Sequence, residues 1–269
     1  HPHCRRQRQM CIRDRYYNAP LFLDRYEAIE HLEENQGSQE AKKTLARAIE
    51  DKFWVVRRKA INALDATTTE MVKDKLLNIA ENDEKSHVRS EALEKLAEYG
   101  FSDKALLSEA FKDQSYRVAS TALELLYEED SLKAFGIAKT LEEETNSDIV
   151  SVVTGIYSEM GGPEQNEFFM DKITNGTGWQ QYLTLIAYGD FLARMTDQSI
   201  IDKGVERVGE IGLEDGAQWW ITMSVSSVLR DVQGMYEDRK SEMGEGADTS
   251  SLDERIEGIQ KVLDEIEGE

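Results

Sequence analysis

Two histidines are the first candidates for chemistry in residues 16–269, because a zinc peptidase binds its metal through two histidines one helical turn apart, with a glutamate beside the first. His31 is followed by Leu-Glu-Glu-Asn, which lacks both the adjacent glutamate and the second histidine. His87 lies beside Val88, a position typical of a partly exposed structural histidine. We therefore predict no metal-binding, catalytic or cofactor-binding residue in this part of the chain.

The other motifs that could carry chemistry are short and common. Asn175-Gly-Thr-Gly178 has the glycines of a phosphate-binding loop, but it lacks the GK[ST] ending and a preceding strand, so we interpret it as a plain loop. Its first three residues also match a glycosylation acceptor. Acidic pairs such as Glu142 and Glu144 indicate solvated helix ends in a chain with 53 acidic residues. A Ser/His/Asp triad stays open, because it has no fixed sequence spacing, although no G-x-S-x-G motif occurs.

Residues 1–15, HPHCRRQRQMCIRDR, differ from the rest of the chain in charge and pattern. They contain five arginines, both cysteines and two of the four histidines. RQRQMCIRDR resembles a translated sequencing-adapter remnant, so we expect a foreign, unstructured segment and exclude it from the fold. The alternatives are a basic arm or a zinc site formed by His1, His3, Cys4 and Cys11, whose spacing is poor for zinc. Because the other residues contain no cysteine, the cysteine content assigns no compartment.

The elements that would position any functional residue follow an internal repeat. Val56, Ala60 and Leu64 lie four residues apart on one face of a predicted helix, and Asp51 lies in the turn before it. The pattern recurs at offsets of 32, 30 and 31 residues. Its later copies, and a half copy upstream, are Asp83, Val88, Ala92 and Leu96; Asp113, Val118, Ala122 and Leu126; Glu144, Ile149, Val153 and Tyr157; and Arg25, Ala28, Ile29 and Leu32. A period of this size is typical of stacked helix pairs, in which a small alanine lets neighbouring helices approach closely.

The repeat predicts an all-α fold, an α-solenoid of antiparallel helix pairs that becomes less regular after about residue 160. We expect repeats over residues 16–160, further helices over 161–243, a linker over 244–250 and a C-terminal amphipathic helix over 251–269. The apolar stripe of that last helix is predicted to dock on the body of the protein.

Two local signals add detail to this prediction. Thr67-x-x-Glu70 predicts a capping box at the start of a helix. Trp219 and Trp220, like the scattered methionines, are predicted to pack in the core or between helices.

The charge of the chain limits its partners. The formal net charge of the chain is −21. Residues 1–15 contain five arginines and one aspartate, so the rest of the chain is even more acidic than this figure indicates. So acidic a surface makes nucleic acid and anionic membranes unfavourable partners, because both require a basic face. No apolar run is long enough to span a bilayer.

The pattern Asp-x4-Val-Arg resembles HEAT repeats. It is complete at Asp51, Val56 and Arg57 and again in the next copy. The third copy instead has Arg117 before Val118, and the fourth has no arginine there. The resemblance implies a HEAT-like α-solenoid.

Residues 18–32, NAPLFLDRYEAIEHL, followed by a helical array, also resemble the start of the C-terminal helical domain of M1-family zinc aminopeptidases. Arg25, Tyr26, Glu27 and Ala28 match an arginine, aromatic and acidic-alanine step of that family. The zinc motif HExxH and the exopeptidase motif GxMEN belong to the family's catalytic domain, and neither occurs here.

The resemblance to the peptidases implies a non-catalytic domain that caps the catalytic domain of a parent enzyme and limits the access of peptides. Zinc is then expected in that catalytic domain, with no cofactor in residues 16–269, and the partner is the catalytic domain itself. The alternative is a stand-alone HEAT-like scaffold that binds another protein partner.

Both interpretations predict that purified residues 16–269 hydrolyse no aminoacyl anilide, with or without added zinc, because no paired histidines are available to hold a water-activating metal. The measurement is the release of the chromogenic aniline. Rapid hydrolysis that a chelator abolishes would contradict both interpretations.

Overall fold

The computed structural model of this chain describes residues 16, 19–244 and 247–268. The predicted foreign segment, residues 1–15, lies outside the described residues. The described residues separate into two units, and the division falls between Ala134 and Phe135, within the eighth helix. The domain boundaries expected from the sequence at about residues 160, 243 and 250 stay predictions.

All regular structure in the described residues is helical, which confirms the all-α prediction. The helices are α1 Phe22–Glu33, α2 Gln39–Ala48, α3 Trp54–Asn62, α4 Ala66–Asn82, α5 Ser86–Glu98, α6 Lys104–Ala110, α7 Tyr116–Glu129, α8 Ser131–Ala138, α9 Ser147–Met160, α10 Asn166–Asn175, α11 Gly178–Arg194, α12 Gln198–Gly212, α13 Trp219–Glu242 and α14 Ser250–Glu267. A short 3₁₀ helix, Pro163–Gln165, precedes α10. None of these helices carries a stretch long and apolar enough to cross a lipid bilayer.

The first unit is built from two layers of helices. Helices α1, α3, α5 and α7 pack side by side in one layer, and α2 and α4 pack together in the other. Ala60, Ala92 and Ala122 are fully buried in α3, α5 and α7, as the repeat predicts for a close contact between helices. The valine and leucine positions of the same repeats are buried too, so the predicted register is confirmed.

A ladder of ion pairs joins successive repeats of this unit. Each arginine donates two hydrogen bonds to the aspartate of the following repeat, from Nε and from Nη2. The pairs are Arg25 with Asp51 at 2.8 and 2.9 Å, Arg57 with Asp83 at 2.7 and 2.8 Å, and Arg89 with Asp113 at 2.8 and 2.7 Å. This bidentate geometry is the strongest form of an arginine–carboxylate contact, and it fixes the angle between the two groups.

The same groups also close the turns between helices. Arg57 and Arg89 donate from Nη1 to the backbone carbonyl oxygens of Asp51 and Asp83, at 3.0 and 2.7 Å. The Oδ1 atom of each aspartate accepts a backbone N–H two residues later, at 2.9 Å for Asp51 and 2.9 Å for Asp83. Each aspartate therefore contacts both its own turn and the arginine of the preceding repeat.

The ladder changes how Asp51 and Asp113 titrate. Burial acts to raise the pKa of Asp51, but hydrogen bonds from Arg25, from the backbone of Phe53 and from Tyr16 outweigh it and lower that pKa below its ordinary value. Burial also acts to raise the pKa of Asp113, but hydrogen bonds from Arg89 and from the backbone N–H of Ser115 outweigh it and lower that pKa. Both aspartates are therefore more stable as carboxylates in the folded protein than in the unfolded chain.

The second unit keeps two layers but packs differently. Helices α9, α11 and α13 form one layer, and α10, α12 and α14 form the other. A Cβ atom at Gly204 of α12 would lie 2.6 Å from the Tyr188 hydroxyl, and one at Gly212 would lie 2.6 Å from Ile266 of α14. Helix α12 can therefore lie this close to its neighbours only because these residues are glycines.

Aromatic side chains fill the core of the second unit. Tyr157 takes the leucine position of the fourth repeat, is fully buried and contacts Phe168 edge-on, with ring centroids 5.2 Å apart. Phe169 continues the cluster toward Tyr188 and Phe191. The Tyr157 hydroxyl donates a hydrogen bond to the Glu142 carboxylate. Burial is the main cause that raises the pKa of Tyr157, and the Glu142 carboxylate raises it further. The irregularity predicted after residue 160 thus coincides with a change from an aliphatic to an aromatic core.

Two further elements test local predictions. Helix α14 packs on α13 and α12 with Ile259 and Leu263 buried, which confirms that its apolar stripe docks on this unit. The predicted capping box at Thr67 is wrong, because Asp65 is the N-cap of α4 and its Oδ1 accepts the Thr68 N–H at 2.7 Å. An aspartate two residues earlier is an equally good cap and lets the helix begin sooner.

Replacing Asp51 with Asn should destabilise the protein by about 3 kcal/mol near neutral pH, because it leaves the buried Arg25 guanidinium without its counter-charge. Because folding lowers the pKa of Asp51, its ionised carboxylate stabilises the folded protein at pH values above its ordinary pKa of about 4. This contribution is lost as the pH falls through the lower pKa that Asp51 has in the folded protein. The free energies of unfolding of the two proteins should therefore converge below about pH 4 in urea titrations. Asp74→Asn, which changes an exposed carboxylate on α4, is the control. Parallel curves for Asp51→Asn and the wild type would contradict the role of the ladder.

Replacing Ala92 with Leu should cost about 1–3 kcal/mol, because the larger side chain overpacks a fully buried contact between helices. Equilibrium unfolding in urea measures the change. Unaltered stability would show that the repeat register assigned to α5 is wrong.

Candidate functional site

The two histidines singled out in the sequence lie on different helices and make structural contacts. His31 on α1 is exposed, with Nδ1 3.9 Å from Oε2 of Glu34. The His87 ring on α5 stacks on Trp54, with ring centroids 5.5 Å apart and an interplanar angle of 18°. Among the described residues, no group of three or more His, Cys, Asp or Glu side chains is placed to hold a metal ion. His1, His3, Cys4 and Cys11 lie outside those residues, and the expectation that the chain lacks a site stays a prediction.

The two other motifs occupy loops of the second unit. Asn175 ends α10 and Gly178 begins α11 with a positive φ of 56°, so the segment between them is a short turn between helices. Glu142 accepts the hydrogen bond of Tyr157, while the backbone carbonyl of Glu144 accepts one from Lys172 at 3.2 Å. The acidic pair therefore contributes to the packing of this unit.

A cleft of about 690 Å³ lies between α4 and α6 in the first unit. Its apolar lining residues are Leu77, Ala80, Leu93, Ala105, Leu106 and Ala110. Three of its acids already have partners: Asp103 caps α6, Glu109 pairs with Lys112, and Asp113 belongs to the ladder. The cleft thus combines an apolar floor with three acids that already have structural partners.

We call the side of α1, α3, α5 and α7 that is turned away from the even-numbered helices the outer face of the first unit. It is cross-linked by polar side chains. Oε2 of Glu91 on α5 accepts from Arg58 Nε at 2.9 Å, and Oε1 accepts from Asn62 at 2.8 Å. Burial raises the pKa of Glu94, as do Glu91 and Glu124, although two arginines oppose the shift. This face is therefore polar and held in place by its own contacts.

The corresponding outer face of the second unit, on α9, α11 and α13, is apolar at one end. Trp179 and Trp219 in the first turns of α11 and α13 are 66% and 68% exposed, and Met223 is 62% exposed. Trp179 stacks on Tyr182 with ring centroids 4.6 Å apart. We name this surface the aromatic patch and define it as Trp179, Tyr182, Ile186, Trp219, Trp220 and Met223.

Helices α11 and α13 run side by side in the same direction, so their first turns lie at the same end of this layer. A Cβ atom at Gly189 would lie 3.0 Å from Val228, and just beyond the end of α11 the Met195 carbonyl accepts a hydrogen bond from Arg239 at 3.0 Å. The offset of 39 residues between Gly189 and Val228 places Trp179 level with the start of α13, at Trp219. The two halves of the patch therefore lie at the same level of two neighbouring helices.

The prediction that Trp219 and the methionines pack in the core or between helices is wrong for Trp219 and for three methionines, Met71, Met223 and Met243, whose side chains are exposed. A sequence signal for this existed, because Ile221, Val225 and Val228 are buried and define the core face of α13. At 100° per residue, Trp219 and Met223 fall on the opposite side of that helix. Hydrophobic character alone led to the wrong assignment.

Comparison with protein-family models matches residues 18–97 to the HEAT repeat family. The match covers α1 to α5, which contain the first two ion pairs of the ladder. This part of the chain is a HEAT-like repeat domain. The HEAT-like match ends before Asp113, the last aspartate of the ladder.

Among solved structures, the chain is similar to human deoxyhypusine hydroxylase in complex with glycerol. The two are 13% identical, the alignment covers 96% of each chain, and the TM-score is 0.40. This likeness is too weak to support an inference about this HEAT-like chain. No curated protein matches the sequence. Neither the family match nor the structural similarity links the chain to the zinc aminopeptidases.

Proposed function

We propose that this protein is a HEAT-like scaffold that binds a protein partner through the aromatic patch of its second unit. The observation that carries the proposal is the exposure of two tryptophans, Trp179 and Trp219, at the same level of adjacent helices. Large apolar side chains that are grouped on a surface mark sites of interaction more often than scattered ones do.

The chemistry of the patch favours a protein as the partner. Tryptophan and tyrosine are enriched among the residues that contribute most to protein–protein binding, because each buries a large rigid surface with little loss of side-chain entropy. Trp179 is already held against Tyr182, so part of the ordering cost of binding is met before the partner arrives. The patch thus has the residue types and the rigidity of a binding surface.

The layers beneath the patch support it as a rigid platform. Val228 packs against Gly189, and Leu192, Tyr188 and Phe191 are fully buried below the outer face. Helices packed this closely resist movement when a partner binds. A rigid platform that presents exposed aromatic side chains is what a scaffold requires.

A second candidate is the accessory role in a zinc aminopeptidase, with the zinc in the parent's catalytic domain and that domain as the partner. Its support is the resemblance of residues 18–32. In the structure, Arg25 forms the first ion pair of the ladder and Ala28 is fully buried against the neighbouring helices. Two of the four matching residues are therefore explained by the repeat itself, and this candidate ranks second.

The proposal predicts that a random-peptide display selection on the full chain enriches peptides that bind the aromatic patch. Replacing both Trp179 and Trp219 with Ser should weaken the binding of these peptides by at least about tenfold, because each removed anchor typically costs more than about 1 kcal/mol. Fluorescence polarisation with labelled peptides measures the dissociation constants.

The matched control replaces Met71 and Leu132, two exposed apolar residues of the first unit, with Ser. It should leave binding unchanged, and both double variants should keep the thermal stability of the wild type because the side chains are exposed. Failure to enrich any peptide, or equal binding to wild type and to the tryptophan variant, would contradict the proposed function.

A further inference from the structure

Two carboxylates lie beside the aromatic patch on the same outer face. Asp190 is exposed and follows Ile186 of the patch by one turn of α11, about 6 Å along the helix. Asp231 is exposed and follows Met223 by eight residues on α13, about 12 Å along the helix. The patch therefore has an apolar end and an acidic end.

The two carboxylates lie close enough for their negative charges to interact. Burial raises the pKa of Asp190, and the negative charges of Asp231 and Glu159 raise it further. In the part of the chain that the structure describes, neither Asp190 nor Asp231 forms a hydrogen bond or an ion pair through its carboxylate. This interaction of like charges is unfavourable, and a cation bound beside the two carboxylates would relieve it.

The nearest cations along the chain are held by other groups. Arg194, one turn beyond Asp190, donates from Nε to the Ser158 carbonyl at 2.7 Å and from Nη2 to the Gly161 carbonyl at 2.9 Å. Arg230, the neighbour of Asp231, pairs with Glu267 on α14. Both arginines are therefore engaged away from the two aspartates.

From this arrangement we infer that the partner contacts the second unit with a basic, apolar polypeptide segment. Its aromatic or aliphatic side chains pack on the aromatic patch, while its lysine or arginine side chains bind Asp190 and Asp231. The inference rests on the proposed function, and it names the chemistry of the partner.

The distance between the apolar end and the acidic end of this surface limits the length of the partner segment. Trp179 and Asp190 are eleven residues apart on α11, about 16 Å along its axis. An extended peptide spans that distance with about five residues, and a helical one with about eleven. The apolar anchor and the basic residues of the partner should therefore be about five residues apart in an extended segment or about eleven apart in a helical one.

Charge selects this occupant over the alternatives. A second copy of the chain that docked the same face would bring its own Asp190 and Asp231 toward these two and add to the repulsion. Nucleic acid and anionic lipid are repelled by the same carboxylates and by a formal net charge of −21. A cationic peptide relieves the repulsion and still uses the apolar end.

Three synthetic peptides of equal length test the inference on the full chain by isothermal titration calorimetry. The first contains Lys, Trp and Leu, the second has each Lys replaced by Gln, and the third has Trp and Leu replaced by Ser. The first peptide should bind at least about fivefold more tightly than either of the others, and raising the salt concentration should weaken it.

The double variant Asp190→Asn with Asp231→Asn should bind the first peptide about five- to tenfold more weakly than the wild type does. Its affinity for the Gln peptide should be unchanged. The control, Glu257→Gln with Glu265→Gln on α14, removes the same charge from exposed positions in the other layer and should have no effect. Because the aspartate substitutions keep the shape of the side chain at exposed positions, the variant should fold as the wild type does.

The outcomes separate this inference from the proposed function. If the Gln peptide binds as tightly as the Lys peptide and both require Trp179 and Trp219, the inference is wrong and the proposed function stands. If the third peptide, which has Lys and Ser, binds as tightly as the first, charge alone attracts the peptide and the inference is wrong. The same conclusion follows if the control variant on α14 weakens the binding of the first peptide as much as the aspartate variant does. Self-association that is abolished by the tryptophan substitutions would assign the patch to a second copy and overturn it too.

Discussion

The bidentate pairing of an arginine in one repeat with an aspartate in the next is the interaction on which the first unit depends. A buried guanidinium or carboxylate alone would cost several kcal/mol, so each group requires its partner. The pairing fixes more than a distance, because the aspartate also accepts a backbone N–H in its own turn, and Arg57 and Arg89 also donate to the carbonyl of the preceding aspartate. Apolar contacts through Ala60, Ala92 and Ala122 supply the driving force, and the ladder determines the orientation of one repeat on the next.

The second unit obtains the same two-layer arrangement by other means. No arginine follows Ile149 at the ladder position, and the core there is formed by Tyr157, Phe169 and their aromatic neighbours. Glycines on α12 allow contacts that a Cβ atom would block, and α11 and α13 begin 41 residues apart, at Gly178 and Trp219. The lengthening of the repeat from about 31 residues explains why its register is obscure in the sequence.

The acids of this protein fall into two groups with opposite physical effects. Asp51 and Asp113 are stabilised as carboxylates by arginine and by backbone N–H groups, which lowers their pKa. Glu94 and Asp190, on the outer faces of the two units, have raised pKa values because of burial and nearby carboxylates. The first group holds the fold together, whereas the second group gives the outer faces an unfavourable concentration of negative charge. That difference is why the outer face beside Trp179 and Trp219 is suited to a cationic partner.

The sequence by itself determined the all-α class, the repeat register over Val56, Val88 and Val118 and the burial of the three alanines, because the helical period is local and reads directly from the spacing of apolar residues. It also indicated the aspartates and arginines of the ladder, but not that each arginine contacts the aspartate 24 to 26 residues later. That pairing depends on how the helices cross. The side of α13 on which Trp219 lies also follows from the helical period, because Ile221, Val225 and Val228 define the opposite, buried side. The interaction of Asp190 with Asp231 was decided by tertiary structure alone, because it requires the parallel packing of α11 on α13, which brings together residues about 40 positions apart.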